Sequence, residues 1–84
     1  SHNQAVGIII PDVLNEKMAL MVRIIQYDMQ QAGYVMSIFN TGESNSALLR
    51  CLDMMRAQRM AGMICVPHRS MQNIPSMPFP VYRP

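Results

Sequence analysis

Four polar side chains stand at the same kind of place in this sequence. Asp12 and Asn15 follow the apolar run Val6-Gly7-Ile8-Ile9-Ile10, Asn40 follows a run ending in Phe39, and His68 follows one ending in Val66-Pro67. Amides and a carboxylate so placed can exchange hydrogen bonds with the hydroxyls of a small polar ligand. They do not make the acid–base pair or activated nucleophile that group transfer needs. Asp12 and Glu43 could share one edge of a sheet, but two carboxylates on adjacent loops are too common to signal proton transfer. His68 could contact a ligand or act as a base; the simpler reading is an ordinary exposed loop histidine. Cys51 and Cys65 show no metal spacing and read as two reduced thiols in apolar sites. A disulfide between them would need Cα atoms within about 7 Å. Neither GxGxxG nor GxxxxGK[ST] follows the first run, which speaks against a dinucleotide or nucleotide site. The chain is therefore read as a non-enzyme with no cofactor and no metal.

The elements that place these residues alternate. Residues 5–10 form an unbroken apolar run, suited to a strand buried on both faces of a parallel sheet. Asn15 is a good helix cap, and its amide could also face a ligand hydroxyl; Glu16 suits the first turn beside the helix dipole. Met18, Met21, Val22, Ile25, Met29 and Ala32 then recur at helical spacing, and Gly33 closes a helix over about 16–32. Residues 34–39 read as a second strand, 40–45 as loop and cap, and 46–59 as a helix with Leu48, Cys51, Leu52 and Met55 on one face. A third strand spans about 63–66, and a fourth is placed near 79–82. Pro75, Pro78, Pro80 and Pro84 crowd that end, so the fourth strand should be a short edge piece. The order βαβαβ(β) predicts an open parallel α/β sheet with right-handed crossovers. In such sheets ligands sit just outside the strands' carboxyl ends, where Asp12, Asn15, Asn40 and His68 fall.

Composition narrows the class. The 84 residues allow one small domain, and a chain this short buries only roughly 60–65% of its unfolded surface. Hydrophobic residues make up 50% and charged ones 14%, a generous core under a thin polar surface. The chain reads as a piece of something larger, or as a protomer that buries a face against a partner. A net charge of +2, scattered, is too weak for a nucleic-acid footprint. No apolar run approaches the ~20 residues that span a bilayer, and no signal-peptide pattern opens the chain. The chain does not start with Met; residues 1–4, including His2, read as a vector-derived or flexible N-terminus, and 5–84 as one partial lobe. The ten methionines are read as a soft, adaptable core.

Three stretches carry a resemblance. "VGIIIPDVLN" followed by a helix, "AGYVMSIFNTGES" and "QRMAGMICVPH" together resemble the LacI/GalR family of bacterial transcription repressors. The ligand-binding part of that family runs strand, PD-x-x-N-P-F-F and helix, then GY, strand and NT, then helix, R-x-D-G-I-I and strand. The resemblance covers roughly Ala5 to Pro67. It implies a periplasmic-binding-protein-like fold, in which two α/β lobes close over a small effector, often a sugar or a nucleobase. This chain would be the first part of the N-terminal lobe. A helix-turn-helix headpiece would precede it, and operator DNA would be bound only through that headpiece.

By resemblance, the effector-side candidates are Asp12, Asn15, Met18, Asn40 and Arg83. The physical reading agrees for all but Arg83, and Met18 could equally be core. The chain departs from the family in places. Glu16-Lys17-Met18 stands where Pro-Phe-Phe is usual, Ala61 stands where Asp precedes Gly, and Tyr82-Arg83-Pro84 replaces the closing Asp-Arg. The aromatic that lies against the effector is thus missing. The resemblance implies a cytoplasmic regulator with no membrane partner. The alternative is a lobe of a periplasmic sugar-binding receptor for transport or chemotaxis, against which the two unpaired cysteines speak. A small stand-alone module is a third reading. An open sheet edge under incomplete cover predicts a homodimer or higher oligomer.

Overall fold

The computed structural model describes residues 4–84. The reading of residues 1–4 as vector-derived or flexible lies, apart from Gln4, outside the described residues. Six elements follow in order: β1 (Ala5–Ile10), α1 (Glu16–Gln31), β2 (Val35–Asn40), α2 (Asn45–Ala57), β3 (Gly62–Cys65) and β4 (Val81–Tyr82). They build one four-stranded sheet in the order β2-β1-β3-β4, with every neighbouring pair parallel. This is the open parallel α/β sheet that the alternation predicts.

The strand order explains the two layers. The step from β1 through α1 to β2 goes one way, and the step from β2 through α2 to β3 returns across β1. Right-handed crossovers in opposite directions place their helices on opposite faces. Val6, Ile8, Ile10, Met36 and Ile64 meet Val22 of α1 in one core. Ile9, Met63 and Cys65 meet Leu48, Leu52 and Met55 of α2 in the other. Central β1 serves both cores, which is why its sequence is apolar without alternation. A Cβ on Gly7 would run into the Met55 methyl and lie 3.3 Å from Phe39 Cε2, so glycine there admits α2 closely.

The helix ends follow local chemistry. The Asn15 side chain accepts the Met18 N–H, and Gly33 takes the left-handed φ of 89° after α1. Ser44 accepts the Ala47 N–H, so α2 starts at Asn45, slightly before the expected 46. The apolar stripe of α1 is thinner in the structure than its periodicity predicts. Val22 is its one buried member, Met18, Met21, Ile25 and Met29 are half-buried, and Ala32 is exposed.

The crossover from β3 to β4 carries no helix. Prolines at 67, 75, 78 and 80 interrupt any helical run. Met71, Ile74, Met77 and Phe79 of this segment pack onto the core beneath α2. β4 is an edge strand, as expected, but spans only Val81–Tyr82. Pro80 has no N–H to give, yet its carbonyl accepts the Met63 N–H at 3.0 Å.

Candidate functional site

Strand order reverses between β1 and β3, and the crevice beyond their carboxyl ends is where an open α/β sheet can take a ligand. Asp12 opens the loop after β1. Its Oδ1 accepts the Leu14 N–H at 3.0 Å, and its carbonyl accepts the Asn15 N–H at 3.2 Å. The loop is thereby folded into a tight turn that delivers Asn15 to the start of α1. Asn15 Oδ1 is then taken by the Met18 N–H at 3.1 Å.

Asn40 closes β2 and reaches back across the edge. Its Oδ1 accepts the Val13 N–H at 3.0 Å, tying the β1–α1 loop to the end of β2. Thr41, buried, seals the seam beneath: its N–H and hydroxyl both donate to the Ile10 carbonyl, at 2.9 and 3.3 Å. Asp12, Asn15 and Asn40 are all exposed, and Met18 is half-buried one turn into α1. Both amides spend their oxygens on the backbone and keep their NH2 groups, which are donors, for another partner.

Arg83 lies apart from this group. It follows β4, and two strands separate β4 from β2 in the sheet. At ~4.8 Å per strand, the ends of β2 and β4 are about 14 Å apart. Arg83 lines an open groove of about 520 Å³ with Ile74, Met77 and Phe79. It also stands near buried Cys65. Burial pushes the Cys65 thiol above its ordinary value, and the Arg83 guanidinium offsets part of that rise. Cys51 is likewise raised by burial and partly offset by Arg50. Both cysteines are free thiols.

His68 corrects the reading of an exposed loop residue. It is half-buried, and its Nδ1 and Nε2 are both shielded with no hydrogen-bond partner among the described residues. The β3–β4 segment folds inward because its apolar residues join the core. Asn45 was read only as cap and loop chemistry, but it anchors that segment: Nδ2 donates to the Ser70 carbonyl at 3.0 Å and Oδ1 accepts the Gln72 N–H at 3.1 Å. Its spacing from these partners in the chain left no local signal.

Among the described residues no cluster of three or more His, Cys, Asp or Glu could hold a metal ion, and no helix is long and apolar enough to cross a membrane. The edge offers amide donors, one carboxylate and backbone groups, a set suited to hydroxyl recognition.

A Corynebacterium glutamicum protein described as a LacI-family transcription regulation repressor is similar in structure at a TM-score of 0.83 and 27% identity, over 96% of this chain and 30% of its own. The structural neighbours of this chain are LacI-family regulators. The Cra transcriptional dual regulator from Pseudomonas putida, solved with fructose 1-phosphate, is similar at a TM-score of 0.75 and 20% identity, over 77% of this chain and 24% of its own. A periplasmic binding protein/LacI transcriptional regulator from Alkaliphilus metalliredigens, complexed with D-xylulofuranose, is similar at 0.74 and 22% identity, over 76% of this chain and 24% of its own. At these identities the last two share the fold. The chain has the architecture of part of one lobe of a periplasmic-binding-protein-like LacI domain, and it spans less than a third of each neighbour's length. No protein-family model matches the sequence, and no curated protein matches it.

Proposed function

We propose that residues 5–84 are the first part of the N-terminal lobe of a LacI/GalR-type transcription regulator, and that their carboxyl edge contributes to sensing a small polyhydroxylated, sugar-like effector. The observation that carries this reading is the edge itself. The Val13–Asn40 hydrogen bond gathers Asp12, Asn15 and Asn40 beside the switch point of a fold shared with LacI-family neighbours. In this reading Asp12 accepts from effector hydroxyls, Asn15 and Asn40 donate their amide N–H groups, and Met18 lines the wall. Arg83 adds a cation at the far end of the edge, suited to a ligand bearing a charged group such as a phosphate. A cytoplasmic location and the absence of catalysis belong to the same proposal.

Binding would act by shifting a population between lobe arrangements that differ in effector affinity. Operator DNA would be held by a helix-turn-helix headpiece, not by these residues. The α1 stripe of Leu20, Ile24 and Tyr27, between 54% and 63% exposed, supports a homodimer or higher oligomer as the working state. The test is titration of the 84-residue chain with fructose 1-phosphate, and separately with a free pentose, followed by amide chemical shifts. Expected are saturable shifts at residues 12–18, 40 and 41 in the millimolar range, lost in Asn40→Ala. Saturable binding confined to another surface, or none to either ligand, would overturn the assignment.

A further inference from the structure

Sulfur is concentrated on one side of the sheet. Met55, Met60, Met63 and Cys65 belong to the buried cluster under α2, and Cys51, Met71 and Met77 pack against it. Met71 and Met77 lie in the irregular segment between β3 and β4, and their sulfurs meet different groups. Met77 Sδ lies 3.0 Å from Arg56 Nη1, a strong donor that also pairs with Asp53. Met71 Sδ lies 3.9 Å from the Cys65 thiol, which is 0% exposed. Asn45 grips the backbone on both sides of Met71, through Ser70 and Gln72. The clamp thus delivers a half-buried thioether directly onto a buried thiol.

We propose that Met71 is an oxidation site at which hydrogen peroxide releases the 66–80 segment from the α2 face. The thioether sulfur attacks one peroxide oxygen and the O–O bond breaks. Sulfur, oxidised by two electrons, keeps that oxygen as a sulfoxide, and the other oxygen leaves as water. The sulfoxide oxygen is a strong acceptor that must be paired or hydrated. At Met71 it faces a buried thiol, a weak donor, so the half-buried position against the core no longer suits it. At Met77 the same oxygen would meet the Arg56 guanidinium and be satisfied in place. Met55, Met60 and Met63, at 0–4% exposure, lie beneath the segment and oxidise only after it lifts. Release bares Cys65 and frees the loop that carries His68. The latch rests on packing and on the Asn45 clamp, and is independent of any effector.

The experiment treats the 84-residue chain with graded peroxide. Mass spectrometry maps the oxidised residues, and brief trypsin digestion reads cleavage after Arg69, an exposed residue inside the segment. Met54, 48% exposed, serves as the freely oxidised reference. Met71 should oxidise before Met55, Met60 and Met63. Cleavage after Arg69 should then rise roughly tenfold, the scale of stranding one polar group in an apolar site. Met71→Leu keeps the apolar packing without the oxidisable sulfur and should abolish the rise; Met77→Leu should retain it. Met71→Gln, a polar stand-in for the sulfoxide, should cleave fast without peroxide. The proposal is overturned if Met71 stays reduced while Met55 oxidises, or if the Met71 sulfoxide forms in the native chain or Met77→Leu without faster cleavage. An equal rise in Met71→Leu would overturn it as well.

Discussion

The two faces of the sheet are covered unequally. Under α2, Leu48, Leu52 and Met55 are buried at 0–1% exposure, and the β3–β4 segment extends the cover with Met71, Ile74, Met77 and Phe79. Under α1 the strands present Val6, Ile8, Ile10 and Ile64, yet the helix buries only Val22 in return. The better-covered side is the sulfur-rich one. Flexible thioethers fill an irregular gap between helix, strand and loop, whereas stiff β-branched side chains suit a regular sheet surface. Amphipathic spacing therefore says which way a helix faces, while neighbouring layers decide how much of it is buried. On α1 a second apolar row, Leu20, Ile24 and Tyr27, points away from the sheet and is left exposed.

Breaking the better-covered face should cost most. Leu52→Ala removes a fully buried side chain from a site hemmed in on all sides, and the expected loss is about 3 kcal/mol. Val22→Ala on the opposite face should cost only about 1–2 kcal/mol, because it removes one carbon fewer and its site is 6% exposed. Urea denaturation of both variants measures the gap, and equal losses would break the contrast between the faces. Ile24→Asp should lower the mass seen by light scattering, while its unfolding free energy at monomeric dilution stays within about 0.5 kcal/mol of native, since the residue is exposed. An unchanged mass would show that the outer row of α1 is not an association surface.

The helix caps sharpen the comparison at a smaller scale. Asn15→Ala and Ser44→Ala each remove one acceptor from a first-turn N–H and should cost about 1 kcal/mol. A much larger loss for Ser44→Ala would mean that α2 carries stability that α1 does not.

The smallest effect is electrostatic. Burial raises the Cys65 thiol in the folded chain, so the unfolded chain loses that proton at lower pH. Stability is therefore full below the ordinary thiol range and declines as pH rises through it. Between about pH 8 and pH 10 the urea midpoint of the native chain should fall further than that of Cys65→Ala. Parallel slopes would place the thiol in a more hydrated setting.

The legible parts of the sequence were those set by near neighbours in the chain. Asn15 could be read as a cap because its acceptor lies three residues from the N–H it takes. The β1 run could be read as a central strand because burial on both faces removes alternation. The Asn40–Val13 bond could not, since its partners lie 27 positions apart and either side chain alone is ordinary. The same distance hid the clamp of Asn45 on Gln72. His68 was misjudged because a loop's polarity in sequence does not show that its apolar residues will draw it onto a core. Arg83 could be placed after an edge strand but not near Cys65, which depended on β3 and β4 pairing in register.

The sequence by itself determined the alternation of strands and helices, the caps, the two-sided burial of β1 and the short edge strand that the prolines allow at the end. These follow from periodicity and local hydrogen bonding, which act over a few residues. Only the tertiary structure decided how deeply each helix is buried, which loops meet at the carboxyl edge, and which sulfur lies on which donor. Those depend on contacts between residues far apart in the chain, whose geometry exists only once the crossovers have set the strand order.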